Sequence, residues 1–325
     1  MTDFEVRRAD MADLPGVLDL AQAALGWRPD DPNDAFFRWK HLDNPAGPSP
    51  MWLASHHGKV LGFRVFLRWR FRLGDGSTAL AVRAVDTATS PDHQRQGIFQ
   101  RLTLHGLDEL PAMGIDLVFN TPNARSHGGY LKMGWQTVGR VPISVRPHGA
   151  RGVLRMARAS GPADKWSAPS TAGDDAPSVL ADPAVETLLQ EIEAGPHRPG
   201  LATDRTIEHL RWRYGFDRLG YRAVVADSGP AHGIALFRTR TRGGAVEAVL
   251  CDLLTRPGDT STARRLTARA ARAAHGDYLL AAGRPVPTLV PVPRQGPVLT
   301  WRPVGAMAAI PLAGWRLSMG DVELF

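Results

Sequence analysis

Residues 90–110 read SPDHQRQGIFQRLTLHGLDEL: a polar loop, one glycine, and then apolar residues at helical spacing. A loop that opens a helix in this way leaves the first backbone N–H groups of the helix without partners, at the positive end of its dipole. Such an end takes anions. Gly97 lets a phosphate approach the main chain closely, and Arg95 adds a cation beside it. The stretch lacks the Gly-Lys-Ser/Thr ending of a P-loop and the spaced glycines of a dinucleotide fingerprint. Taken alone, it fits a glycine that merely starts a helix between solvated glutamines equally well.

Working outward, FEVRRA reads as a strand, and the segment after Asp10 as a capped helix. Residues 50–89 alternate around HHGK and GDGS as a meander of hairpins. Downstream come the strand IDLVFN, a short helix from Asn123 to Met133, and WQTVGRVPISV as a strand. SGPADKWSAPSTAGDDAPS, residues 160–178, is rich in small and turn-forming residues without periodicity and reads as an exposed linker.

Beyond that linker the pattern returns. FFRWKH is echoed by HLRWRY, MWLASHHGKVLGFRVF by YRAVVADSGPAHGIALF, and AVRAVDTATSP by AVLCDLLTRP, so that Asp86 and Asp252 occupy matching places. The second copy has GDTSTARRL after its proline and no Gln-Arg-Gln-Gly loop. Whatever the loop does, only the first half can do it. The repeated tryptophans Trp39 and Trp212 read as helix packing, Cys251 as a small buried hydrophobe, and Glu247, Asp321 and Glu323 as solvated surface in preference to the lining of a substrate cleft between the halves.

A chain of 325 residues, 43% hydrophobic and 22% charged, is ordinary for a globular protein of about two domains. Its single cysteine excludes an internal disulfide and argues against a zinc cluster, so no metal is expected. The net charge of +7 resides in arginines spread along the chain, only four of the 39 basic residues being lysine. With no basic run or RNA-binding signature, neither nucleic acid nor membrane is expected as a partner. The polar N-terminus and lack of a long apolar run lead to the expectation of a cytoplasmic protein.

Together, SPDHQRQGIFQRL and PNARSHGGYLKMGW resemble the two signature regions of the GNAT N-acetyltransferase superfamily. The first signature is an Arg/Gln-x-x-Gly-x-Gly/Ala loop, matched at Gln94 and Gly97 and departing at Phe99. The second is an Asn followed by Tyr and Lys-x-Gly-aromatic, matched by Asn123, Tyr130, Lys132, Gly134 and Trp135. The resemblance implies an α/β (α+β) fold of two GNAT-like domains, each a central mixed, mostly antiparallel sheet flanked by helices. Residues 1–150 would be catalytic, 151–180 a linker, and 181–325 a degenerate copy. Acetyl-CoA is the implied co-substrate, held by Ala88, Thr89, Gln94, Arg95, Gln96, Gly97, Ile98, Phe99, Asn123 and Ser126.

Acetyl transfer to an amine needs a neutral amine, a donor to the tetrahedral oxyanion, and a proton for the leaving thiolate. The resemblance assigns the oxyanion donor to a backbone N–H around Ala88 and Thr89, and the general acid to Tyr130. A phenol ordinarily titrates near 10 and a cysteine-like thiol near 8.5, so transfer between them is about balanced. Asp86 is the candidate base, although its repetition as Asp252 fits an architectural role; His56, His57 or a water are the other bases. The expected activity is N-acetylation of a small-molecule amine by a monomer or homodimer. A longer acyl group, an alcohol acceptor, or a non-catalytic acyl-CoA sensor fits the same residues.

Overall fold

The computed structural model describes residues 4–196 and 198–323. Up to residue 140 the chain runs β1 (Glu5–Arg8), α1 (Leu14–Leu25), α2 (Asn33–His41), β2 (Met51–His56), β3 (Lys59–Leu73), β4 (Thr78–Thr89), α3 (Ile98–Glu109), β5 (Leu117–Asn120), α4 (Ala124–Lys132) and β6 (Gln136–Arg140). It continues with β7 (Ile143–Pro147), α5 (Gly149–Arg158), β8 (Asp174–Asp175), α6 (Ala176–Leu180), α7 (Ala184–Glu193), β9 (Leu201–Thr203) and α8 (Ile207–Tyr214). The last stretch holds β10 (Arg222–Val225), β11 (Gly233–Arg242), β12 (Ala245–Thr255), α9 (Thr260–Ala273), β13 (Tyr278–Ala282), β14 (Val290–Val292), β15 (Val298–Pro303) and α10 (Met319–Val322).

These elements form an α/β protein with two mixed, mostly antiparallel sheets. One is ordered β1-β2-β3-β4-β5-β15-β6, the other β14-β7-β13-β12-β11-β10-β8. Each contains a parallel pair: β4 with β5, and β12 with β13. Two compact units result, the first built from the chain up to Phe71, Thr78–Gly139 and Val298–Ile310, the second from Arg72–Ser77, Arg140–Pro297 and the chain from Pro311.

The local chemistry of the first unit follows its sequence. Asp10 accepts from the Ala12 N–H at 2.8 Å in a capping box that leads into α1. In α3, Ile98, Leu102 and Leu107 turn inward onto Trp52, Phe66, Val82 and Val118. Gly106 faces the same layer, where a Cβ would lie 2.9 Å from the Phe66 ring, so the helix can approach the sheet only with glycine there. The second unit repeats this arrangement with Leu266 and Ala270 of α9 over Ala235, Phe237, Leu250 and Leu279.

Sequence reading expects WQTVGRVPISV to be one strand, but the structure divides it. Pro142 has no N–H to give a ladder and separates β6 from β7. β6 stays in the first sheet, whereas β7 lies between β13 and β14 of the second, antiparallel to both, with Val145 opposite Leu280 and Val290. The corresponding place in the first sheet, between β5 and β6, is taken by β15, with Trp301 opposite Phe119. Each sheet therefore takes its penultimate strand from the other half of the sequence. The stretch expected to be an exposed linker is also partly ordered: α5 follows β7, and Asp174–Asp175 pair with β10.

Without β15 the facing edges of β5 and β6 would expose unpaired backbone groups. A chain cut after residue 150 is expected to aggregate or to lack a cooperative thermal transition, whereas the full chain gives one. Size-exclusion chromatography and circular dichroism on both would check this.

Candidate active site

β4 and β5 pair in parallel at Ala81↔Leu117, Val82↔Val118 and Arg83↔Phe119. β4 then runs on to Thr89 without β5 alongside among the described residues. Asn120, at the end of β5, turns its side chain to Thr300 of β15 instead. The free stretch of β4 contains Asp86 at φ +35°, a left-handed conformation that costs a non-glycine residue about 1–2 kcal/mol. Its buried carboxylate is gripped by Lys40 Nζ at 2.6 Å and His41 Nε2 at 2.8 Å, both from α2.

Burial alone would raise the Asp86 carboxyl, but Lys40 and the hydrogen bond from His41 outweigh it and hold the group well below the usual carboxylate range. Burial pushes His41 below its ordinary 6.5 despite the neighbouring carboxylate. A neutral His41 then donates from Nε2 to Asp86 and accepts at Nδ1 from Ser49 Oγ, 3.1 Å away.

After β4 the chain makes one 3-10 turn at Pro91–His93, and Arg95 (φ +62°) and Gly97 (φ +79°) turn it into α3. Gly97 is the N-cap residue and supplies no side-chain cap, so the first N–H groups of α3 keep their capacity to donate. In the second unit, by contrast, the Asp259 carboxylate accepts from the Thr262 N–H at 2.9 Å and caps α9. The anion position is thus open in one unit and filled by the protein's own acid in the other.

A cavity of about 420 Å³ opens at the uncapped end. Of the residues singled out in the sequence, Gln94, Arg95, Gly97, Ile98 and Phe99 line it from the loop, and Ala88 and Thr89 from β4. Thr87 and Gln100 complete these segments, and Ala24 and Leu25 close the cavity from the end of α1. The sequence offered one weak signal for the last pair: a helix that must end at Gly26, in left-handed conformation at φ +71°.

Gln96 is not part of the lining, and its Oε1 is buried without a hydrogen-bond partner. Asn123 and Ser126 are also outside it. Asn123 Oδ1 accepts from the Arg125 and Ser126 N–H groups at 3.0 Å each, so it caps α4. Asp86 and Tyr130 are absent from the lining as well.

Tyr130, 3% exposed, packs edge-on against Phe99 with ring centroids 5.6 Å apart. The phenol is therefore one side chain from the cavity. Trp135 supports its other side at 5.0 Å. Its oxygen accepts a 2.7 Å hydrogen bond from Nη2 of Arg64, a fully buried residue of β3. The Arg64 guanidinium sits over the rings of Phe66, Tyr130 and Phe99 at 4.8, 5.3 and 5.5 Å. Sequence reasoning missed Arg64, which stands in an otherwise apolar strand stretch, LGFRVF.

The acids expected at the surface of the second half are buried instead. Glu323 pairs with Arg238 and Arg240, Glu247 with Arg240 and Arg242, and Asp321 with Arg205. Each carboxylate's burial is compensated by arginine rather than avoided. Cys251 is buried among them.

Residues 5–138 match the family model of the acetyltransferase (GNAT) domain. The whole fold is similar to solved structures at low identity. A GCN5-related N-acetyltransferase from Anabaena variabilis is 14% identical with a TM-score of 0.64, the match covering 93% of this chain and 73% of that one. A probable N-acyltransferase of unknown function from Enterococcus faecalis is 13% identical with a TM-score of 0.66 over the same shares. Eis1 from Mycobacterium abscessus is 17% identical with a TM-score of 0.57, over 93% of this chain and 74% of that one. No curated protein matches the sequence significantly. Among the described residues no helix is long and apolar enough to cross a membrane.

The Asp86 charge is stabilised in the folded state, so its contribution is present above the ordinary carboxylate pKa and is lost as pH falls through the lowered folded value. His41, neutral when folded, adds a loss that begins as pH drops below 6.5, where the unfolded chain binds the proton first. Asp86→Asn strands a buried lysine and is expected to destabilise the fold by about 3–5 kcal/mol. It should also flatten the acid limb of stability below the ordinary carboxylate range, measured by urea unfolding between about pH 5 and about pH 2, while the loss that His41 causes below 6.5 remains.

Proposed function

We propose that the chain is an acetyl-CoA-dependent N-acetyltransferase acting on a small-molecule amine, with its catalytic site in the first unit. The observation that carries this is the cavity at the uncapped N-terminus of α3, bounded by the unpaired stretch of β4. The N–H groups following Gly97, with Arg95, would hold the pyrophosphate of CoA. The free edge of β4 at Ala88 and Thr89 would take the pantetheine and present an N–H to the oxyanion.

In this reading the neutral amine attacks the thioester carbonyl, the tetrahedral oxyanion collapses, and the C–S bond breaks with its electron pair on sulfur. Tyr130 gives the departing thiolate its proton. Asp86 takes no proton in this scheme, because Lys40 and His41 already hold its carboxylate. The amine's proton passes to water. One observation favours the non-catalytic sensor as a second reading: Phe99 stands between the cavity and Tyr130, where the family motif has a small residue.

Calorimetric titration with acetyl-CoA is expected to give one site per chain, because the second unit fills its own helix end with Asp259. Gly97→Glu places a side chain at φ +79° and a carboxylate where the phosphate would sit, and should abolish binding. Circular dichroism checks that the variant folds. Absence of binding by the wild type overturns the proposal. Binding without thiol release across a panel of amines would select the sensor.

A further inference from the structure

The reaction proposed above leaves one buried group unused. Arg64 is fully buried, its Nε and Nη1 have no hydrogen-bond partner, and no carboxylate pairs with it among the described residues. Its single polar contact is the 2.7 Å hydrogen bond to Tyr130 Oη. An arginine buried without a counter-ion is costly. The second unit shows the usual compensation for such an arginine: Arg238 of β11 is fully buried too, but its guanidinium meets Glu323 at 2.7 Å. Arg64 meets a neutral phenol and, among the described residues, no acid.

We propose that Arg64 is a positioning residue for Tyr130, holding its hydroxyl oxygen as an acceptor so that the hydroxyl proton points away from the guanidinium, towards the leaving sulfur. The proposal rests on the reading of Tyr130 as general acid. An arginine can only donate, so the phenol that accepts from it must direct its own proton elsewhere. When the C–S bond breaks, the electron pair stays on sulfur and the Oη proton moves to it. The negative charge left on Oη then lies against the Nη2–H of Arg64, in surroundings of low dielectric where that attraction is strong. Solvent afterwards returns a proton to Oη. Phe99 packs edge-on against Tyr130 and lies under the Arg64 guanidinium.

The test compares wild type, Arg64→Met, Arg64→Lys, Tyr130→Phe and the two double variants. It reads kcat and KM from thiol release and acetyl-CoA affinity by calorimetry. Arg64→Met should lower kcat by about ten- to a hundredfold, a share of what a general acid contributes. KM and affinity for acetyl-CoA should change by less than about twofold, since Arg64 does not line the cavity. In the Tyr130→Phe background the same substitution should cost nothing further. Arg64→Lys keeps a charge without the fork and should recover part of kcat, and it carries the test if the methionine variant does not fold.

Equal losses in both backgrounds would show a packing role and overturn the proposal. So would an unchanged kcat in Arg64→Met. If Tyr130→Phe itself left kcat intact, the assignment of the acid would fall and that of Arg64 with it. Failure of acetyl-CoA to bind the wild type would overturn the proposed function itself.

Discussion

Parallel pairing between β4 and β5 stops at Arg83 and Phe119, and the working parts of the first unit are arranged around that break. A strand that runs on without its neighbour keeps its polar groups available on one side. Beyond the break the chain must still turn back into a helix over the sheet, and Arg95 and Gly97 accomplish this in left-handed conformation. The turn leaves no side chain to cap α3, so the unpaired strand edge and the uncapped helix end face one cavity.

Charge divides the two units. In the second, buried arginines are met by acids near the C-terminus, and Glu323 is held ionised because Arg238, Arg240 and Arg213 outweigh the cost of its burial. There the region around Arg238 is filled by the chain's own carboxylate. The first unit keeps Arg64 unneutralised beneath Tyr130. The two units share strand order but not this electrostatic closure.

Much of the first unit was legible in its residues. The meander from Met51 to Thr89 and the helix opened by Gly97 follow from alternation and a single glycine, both local signals. The loop residues reached the cavity because adjacency in sequence fixes adjacency at a helix end. Asn123 and Ser126 were assigned to the co-substrate from a motif; Asn123 Oδ1 accepts from backbone N–H groups within the cap of α4. Ala24, Leu25 and Arg64 come to the site only through tertiary packing, and no spacing announces that. The buried acids of the second half looked like surface because an acid's partner is invisible until the fold brings it near: Glu323 and Arg238 are 85 positions apart.

The exchange of β7 and β15 bears on inheritance as well as on folding. The second half has no Gln-Arg-Gln-Gly loop, and its helix end is capped by its own acid. A deletion removing that half would nevertheless take β15 with it, and with β15 the partner strand of β5. The two halves of the gene are tied by this mutual loan. Substitutions can alter the second half, but a chain shortened to its first half loses the strand that pairs with β5.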